Sequence, residues 1–121
     1  MGKKGHKIVF VGGRQHGYSA LENLIKKDYN VVGIFGLKED EHEPIKFYEK
    51  IMDFGKKYNI PVKITKTIND ENYVNKIYNL NPTLIIVLGW RTIIPYEILS
   101  IPKCGCIAVH DSLLPKYRGF A

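Results

Sequence analysis

Residues 82–121 read PTLIIVLGWRTIIPYEILSIPKCGCIAVHDSLLPKYRGFA, and this stretch decides the fold. Leu84–Leu88 is a continuous apolar run that stops at Gly89. Such a run is expected of a strand covered on both faces. A short Ile/Pro segment follows, with room for at most one short helix at residues 95–99. A second apolar run, Cys106–Val109, ends in His110-Asp111-Ser112, and the chain closes on SLLPKYRG and two further residues. An imidazole at the end of a buried strand, followed at once by a basic loop stiffened by Pro and Gly, is the geometry of a site.

Working outward toward the amino end, residues 69–81 read as a helix with Asn69 or Asp70 as its cap and Tyr73, Val74 and Ile77 turned inward. Asn81-Pro82 stops it. Before it, residues 62–64 form a brief strand. Phe47, Ile51, Phe54 and Tyr58 make a stripe at helical spacing, so a helix is predicted over residues 45–58, with Pro44 at its first turn. The stripe is most simply core. Residues 38–43 are a charged loop. Residues 31–35 read as a strand closed by Gly36, residues 15–27 as a helix carrying Tyr18, Leu21, Leu24 and Ile25, and residues 7–11 as a first strand bounded by Gly12-Gly13.

Strands thus alternate with helices, which predicts an α/β fold of parallel units joined by right-handed crossovers. The expected architecture is a doubly wound, Rossmann-like sheet in the order 3-2-1-4-5. Its switch point lies between strands one and four, and ligands bind outside the carboxyl ends of the strands there. Three segments should therefore converge: Gly12-Gly13-Arg14, Leu88-Gly89-Trp90-Arg91 and His110-Asp111-Ser112.

A chain of 121 residues, 45% hydrophobic and 25% charged, fits one soluble globular domain. No apolar run approaches the roughly 20 residues of a membrane helix. The first apolar run, Ile8 to Val11, is too short for a signal-peptide core, so the default compartment is the cytoplasm. The net charge of +6 favours anionic ligands. The lysines are spread along the chain rather than clustered with aromatics, which speaks equally for a solvated surface. Cys104 and Cys106 read as two small buried side chains leading into a strand; no Cys-x-x-Cys pair or His cluster argues for a metal.

Gly12, Gly13 and Gly17 spell G-G-x-x-x-G rather than G-x-G-x-x-G. This is a weak dinucleotide fingerprint, but it suits a turn whose N–H groups meet an anion at a helix N-terminus. Arg14 and His16 either add to that binding or are exposed loop residues. His110 is the strongest single candidate for chemistry, as a group near neutral pKa placed in the expected crevice.

The closing block resembles the folate-dependent formyltransferases, whose hallmark is a strand ending in Asn-x-His, then Ser-Leu-Leu-Pro and a Tyr/Arg/Gly turn. His110 and SLLPKYRG match, and HDSLLPKYRGFA looks most like the methionyl-tRNA and sugar N-formyltransferase branches. The resemblance implies transfer of a formyl group from 10-formyltetrahydrofolate to a primary amine, on methionyl-tRNA or an amino-sugar nucleotide. It implies that His110 stabilises the oxyanion or shuttles the proton. Leu88, Gly89, Trp90 and Ile94, with Ser112, Leu113, Leu114 and Pro115, would hold the folate, while Gly12, Gly13 and Arg14 would face the acceptor.

Two departures stand out. Ala108 occupies the usual Asn position, and the family places its catalytic Asp beyond Ala121. The chain is accordingly expected to be the amino-terminal part of a formyltransferase catalytic domain, incomplete at its C-terminus and inactive by itself. The competing expectations are a catalytically impaired module that binds folate or nucleotide, and a truncated remnant.

Overall fold

The computed structural model describes residues 5–109. Within them the chain runs β1 (Lys7–Gly12), α1 (Arg14–Lys26), β2 (Asn30–Leu37), α2 (Tyr48–Tyr58), β3 (Val62–Thr65), α3 (Glu71–Leu80), β4 (Leu84–Leu88), α4 (Tyr96–Leu99) and β5 (Cys106–Val109). The strands form one five-stranded sheet in the order β3-β2-β1-β4-β5. Every pairing is parallel. The predicted α/β class and strand order are both present.

Side chains of β1 alternate between two cores. Ile8 and Phe10 pack with Leu21 of α1 and with Ile51 and Phe54 of α2. Val9 and Val11 pack on the other face with Ile77 of α3 and Ile98 of α4. Phe10 has no exposed surface; burying such a ring stabilises by about 1.5–3 kcal/mol. A shift in the β1–β2 register between Ile8 and Val9 skips Val32, which keeps Val31 and Ile34 on the α1/α2 face. No helix among the described residues is long and apolar enough to cross a membrane.

The expected bounds of β4 and β5 are met, and other expectations shift. β2 runs through Gly36 to Leu37 instead of stopping. A Cβ at Gly36 would meet Ile64 at 2.8 Å, so this glycine makes room for β3 rather than ending its strand. α2 begins at Tyr48, not near Ile45. Its first amides are capped from a distance: the buried Glu39 carboxylate accepts from the N–H of Phe47 at 2.8 Å and of Tyr48 at 3.2 Å. Within the predicted stripe, Tyr58 is 43% exposed, its ring tilted at 50° against the buried Phe54 at 4.7 Å between centroids. Cys104 is exposed, ahead of β5, and only Cys106 is partly covered. α3 is capped by Asp70 rather than Asn69: Oδ1 accepts from Asn72 N–H at 2.9 Å and Tyr73 N–H at 3.4 Å.

Candidate functional site

The carboxyl ends of four strands lie side by side. Gly12 pairs with Gly36 of β2 and Leu88 of β4, and Leu88 pairs with Val109, the last described residue of β5. His110 and the loop at residues 112–115 continue from that end and lie outside the described residues.

Glycines let β1, α1 and β4 meet almost backbone to backbone. A Cβ at Gly12 would lie 1.8 Å from the Leu88 carbonyl oxygen, and one at Gly17 would lie 2.8 Å from it. Gly89, at φ +78, would put a Cβ 2.2 Å from the carbonyl oxygen of Gly13. The Gly13 N–H donates to Leu88 O at 3.1 Å. That amide is therefore committed within the fold, and these glycines act by close approach of the chain.

The turn is also tighter than expected, because α1 starts at Arg14 and a single residue separates it from β1. Arg14 takes φ 62, a left-handed backbone. Asn59 and Asn81 share that conformation as helix C-caps, a position that suits asparagine. Arginine is less suited to it, so the strain at Arg14, about 1–3 kcal/mol, is held by the surroundings.

Arg14 lines a cavity of about 310 Å³ together with His16, Gly89, Trp90 and Arg91. The charged loop that follows β2 pairs with two of these residues. Glu43 Oε2 accepts from Arg14 at 3.3 Å and from Arg91 at 3.3 Å, and Asp40 Oδ2 accepts from Arg91 at 3.0 Å. Lys66 reaches the other Asp40 oxygen at 3.4 Å. The Arg91 guanidinium, then the Lys66 ammonium, hold the Asp40 carboxyl below the usual carboxylate range. Two donors in this region are buried with no acceptor among the described residues: Arg14 Nε and the Trp90 indole Nε1. Arg14 and Arg91 are thus balanced by Glu43 and Asp40, while the two buried N–H groups, which can only donate, have no acceptor among the described residues.

After Gly89, Trp90 and Ile94 pack partly buried against the α3/α4 core, while Ile93 is 87% exposed. Among the described residues, no backbone hydrogen bond engages residues 90–94. Ala108 packs half-buried against the same core and pairs with Val87. Cys106, one turn of the pleat earlier, has its thiol pushed up to about 11 by burial and lies 3.5 Å from Leu99 O. Concavities of about 360 and 430 Å³ also occur, around Pro61 and Val62 at the amino end of β3, away from the convergent strand ends.

Asp40, Glu43 and the pairing role of Arg91 are what sequence reasoning missed. A signal was present: a loop with four acids at residues 39–43, in a chain of net charge +6, follows the strand that neighbours β1.

The chain matches the formyl transferase family over residues 6–121. It is 40% identical over 121 residues to the methionyl-tRNA formyltransferase of Alkaliphilus oremlandii, covering 93% of this chain and 37% of that protein. It is 38% identical over 117 residues to the enzyme of the same name from Clostridioides difficile, covering 95% of this chain and 38% of that one. The bifunctional polymyxin resistance protein ArnA of Wigglesworthia glossinidia brevipalpis is 33% identical over 113 residues, covering 93% of this chain and 17% of ArnA. The chain therefore spans less than two fifths of the length of these curated relatives.

Proposed function

The chain belongs to the formyl transferase family, and from that membership we propose that it serves the transfer of a formyl group from 10-formyltetrahydrofolate to a primary amine, carried by methionyl-tRNA or an amino-sugar nucleotide. The observation that carries this reading is the row Gly12–Leu88–Val109, which sets the ends of β1, β4 and β5 side by side at the switch point of the sheet. The setting proposed is cytoplasmic.

The folate supplies a formyl group already activated on nitrogen. Leu88, Gly89, Trp90 and Ile94, with Ser112, Leu113, Leu114 and Pro115, hold it. The backbone of residues 90–94, which makes no backbone hydrogen bond among the described residues, supports this part, because a flat heterocycle with an amide-like edge needs backbone donors and acceptors beside apolar walls. Gly12, Gly13 and Arg14 face the acceptor. His110 either donates to the oxygen on which charge develops or carries the proton lost by the amine to the folate nitrogen as its bond to the formyl carbon breaks.

One observation favours a second reading, a crevice that binds folate or nucleotide without transfer. Ala108 has no side-chain donor where the family motif has Asn. Loss of one such donor costs about 2.7–4 kcal/mol of transition-state stabilisation.

The test is turnover of 10-formyltetrahydrofolate against a panel of amines, using this chain and a version extended past Ala121. The extended version is expected to be active and to lose activity with His110→Ala, and the chain alone to have little. Turnover by neither, with tight folate binding by both, would establish the second reading instead.

A further inference from the structure

β3 forms one edge of the sheet. The Ile34 N–H donates to Pro61 O at 3.0 Å, and the Lys38 N–H donates to Thr65 O at 3.0 Å. Alternate residues of a parallel strand face its neighbour, so residues 61, 63 and 65 turn their backbone toward β2. Val62 and Ile64 turn theirs outward, and among the described residues neither makes a backbone hydrogen bond outside the β2–β3 ladder. A concavity opens on each face of the sheet at this edge, and Pro61 and Val62 border both. On the α3 face, about 360 Å³ is lined by Phe35, Leu80, Lys63 and Lys76. On the α2 face, about 430 Å³ is lined by Met52, Gly55, Ile60 and Lys56. Each combines apolar surface with lysine. Among the described residues no acid lines either concavity, and no carboxylate pairs with Lys56, Lys63 or Lys76.

We propose that this edge is a docking surface for an extended acidic segment of a partner protein, which adds to β3 as a further strand. Three features fit this one occupant. The outward backbone groups of Val62 and Ile64 supply a ladder for it. Adjacent side chains of an added strand project to opposite faces, so one enters each concavity. The lysines then select acids beside those two apolar side chains. A second copy of this chain fits less well, because β3 against β3 sets lysine against lysine in a protein of net charge +6. A purely apolar strand is discouraged by the same lysines and by Pro61, residues of the kind that guard sheet edges. The surface lies at the amino end of β3, away from the row Gly12–Leu88–Val109, so it does not rest on the formyl-transfer reading.

The probe is a fluorescein-labelled peptide, Glu-Glu-Leu-Val-Glu-Glu, amidated at its C-terminus. Its anisotropy is followed as the full chain is added, with circular dichroism confirming that each variant is folded. Saturable binding that weakens with salt is expected. Lys63→Gln and Lys76→Gln should each weaken it about two- to fivefold. Lys103→Gln, exposed ahead of β5 at the opposite edge, should leave it unchanged. A peptide with Gln in place of each Glu should bind about tenfold more weakly or worse. In two further peptides the Leu or the Val amide is N-methylated, and one of the two should lose binding, since alternate residues face β3. No saturable binding, equal binding of the Gln peptide, or an equal loss in Lys103→Gln overturns the surface. Parental affinity in both N-methylated peptides overturns strand addition. A chain that sediments as a dimer and is dispersed by Lys63→Glu gives the edge to a second copy. A short single-stranded RNA that displaces the peptide at lower concentration than unlabelled peptide gives it to nucleic acid. Either result overturns the choice of partner.

Discussion

Gly89 lies so close to Gly13 that a Cβ on Gly89 would stand 2.2 Å from the Gly13 carbonyl oxygen. The obstacle is backbone, which cannot rotate out of the way. Gly105 has a similarly positive φ of +91, yet nothing lies within 4 Å of a Cβ placed there. The two positions separate crowding from conformational strain. Gly105→Ala is expected to cost about 1–3 kcal/mol from strain alone. Gly89→Ala should cost about 4 kcal/mol or more, since crowding adds to strain. Urea unfolding of both variants checks the ordering; equal losses would mean that the junction of β1 and β4 yields easily.

Arg14→Gly should make the protein more stable. The left-handed φ of 62 costs an arginine about 1–3 kcal/mol. Glycine removes that strain but adds about 0.4–1 kcal/mol of chain entropy to the unfolded state. The ion pair lost to Glu43 is exposed and adds little. A net gain of about 1 kcal/mol is expected in chemical unfolding. A loss of stability would show that Arg14 is held for the fold rather than in spite of it.

Stability below neutral pH should carry the signature of Asp40. Arg91 first, and then Lys66, lower its pKa from the ordinary 3.8. A carboxyl with a lower pKa folded than unfolded adds stability above the unfolded value, and that contribution disappears as pH falls through the folded one. Asp40→Asn is therefore expected to be less stable than the parent at neutral pH, with the difference closing as pH drops below 3.8. The difference should also shrink in about 1 M salt. Denaturation curves for both proteins between neutral pH and about pH 3 would show this, and a gap that stays constant would rule out Asp40 as its source.

The two cysteines should behave as different reagents. Burial pushes the Cys106 thiol to about 11, while Cys104 is exposed. At about pH 8 only on the order of one in a thousand Cys106 side chains is thiolate, the reactive form. An aromatic disulfide reagent should thus label one thiol quickly in the native chain. Cys104→Ser should abolish that fast phase and Cys106→Ser should leave it. Two fast equivalents would contradict the burial of Cys106.

What the sequence disclosed, and what it withheld, follows from the range of the interactions involved. β4 was readable because Leu84–Leu88 is uniformly apolar and flanked by Asn81-Pro82 and Gly89, all local signals. Alternation of strands and helices then gave the sheet order, and with it the meeting of Gly12 and Gly89. The start of α2 was misplaced because Pro44 looks like a first-turn residue, whereas the true cap is Glu39, eight residues before Phe47. Gly36 looked like a stop because spacing alone cannot distinguish a turn glycine from one that admits a neighbouring side chain. The Arg91 pairs with Asp40 and Glu43 span 51 and 48 residues and exist only once the strands are side by side. Charge in the loop was visible; its partners were not.

The cap formed by Glu39 also bears on timing. The loop that carries Asp40 and Glu43 is tied down before and after them. Lys38 N–H donates to Thr65 O at 3.0 Å, and the buried Glu39 carboxylate is fixed on the first amides of α2. Lifting the whole segment would break that cap and expose a buried carboxylate. Exchange at the two arginines is left to rotation of the Asp40 and Glu43 side chains. Exposed side chains turn over in picoseconds to nanoseconds, against microseconds or more for a moving loop. Breaking and remaking of these ion pairs should therefore bring no slow conformational phase with it.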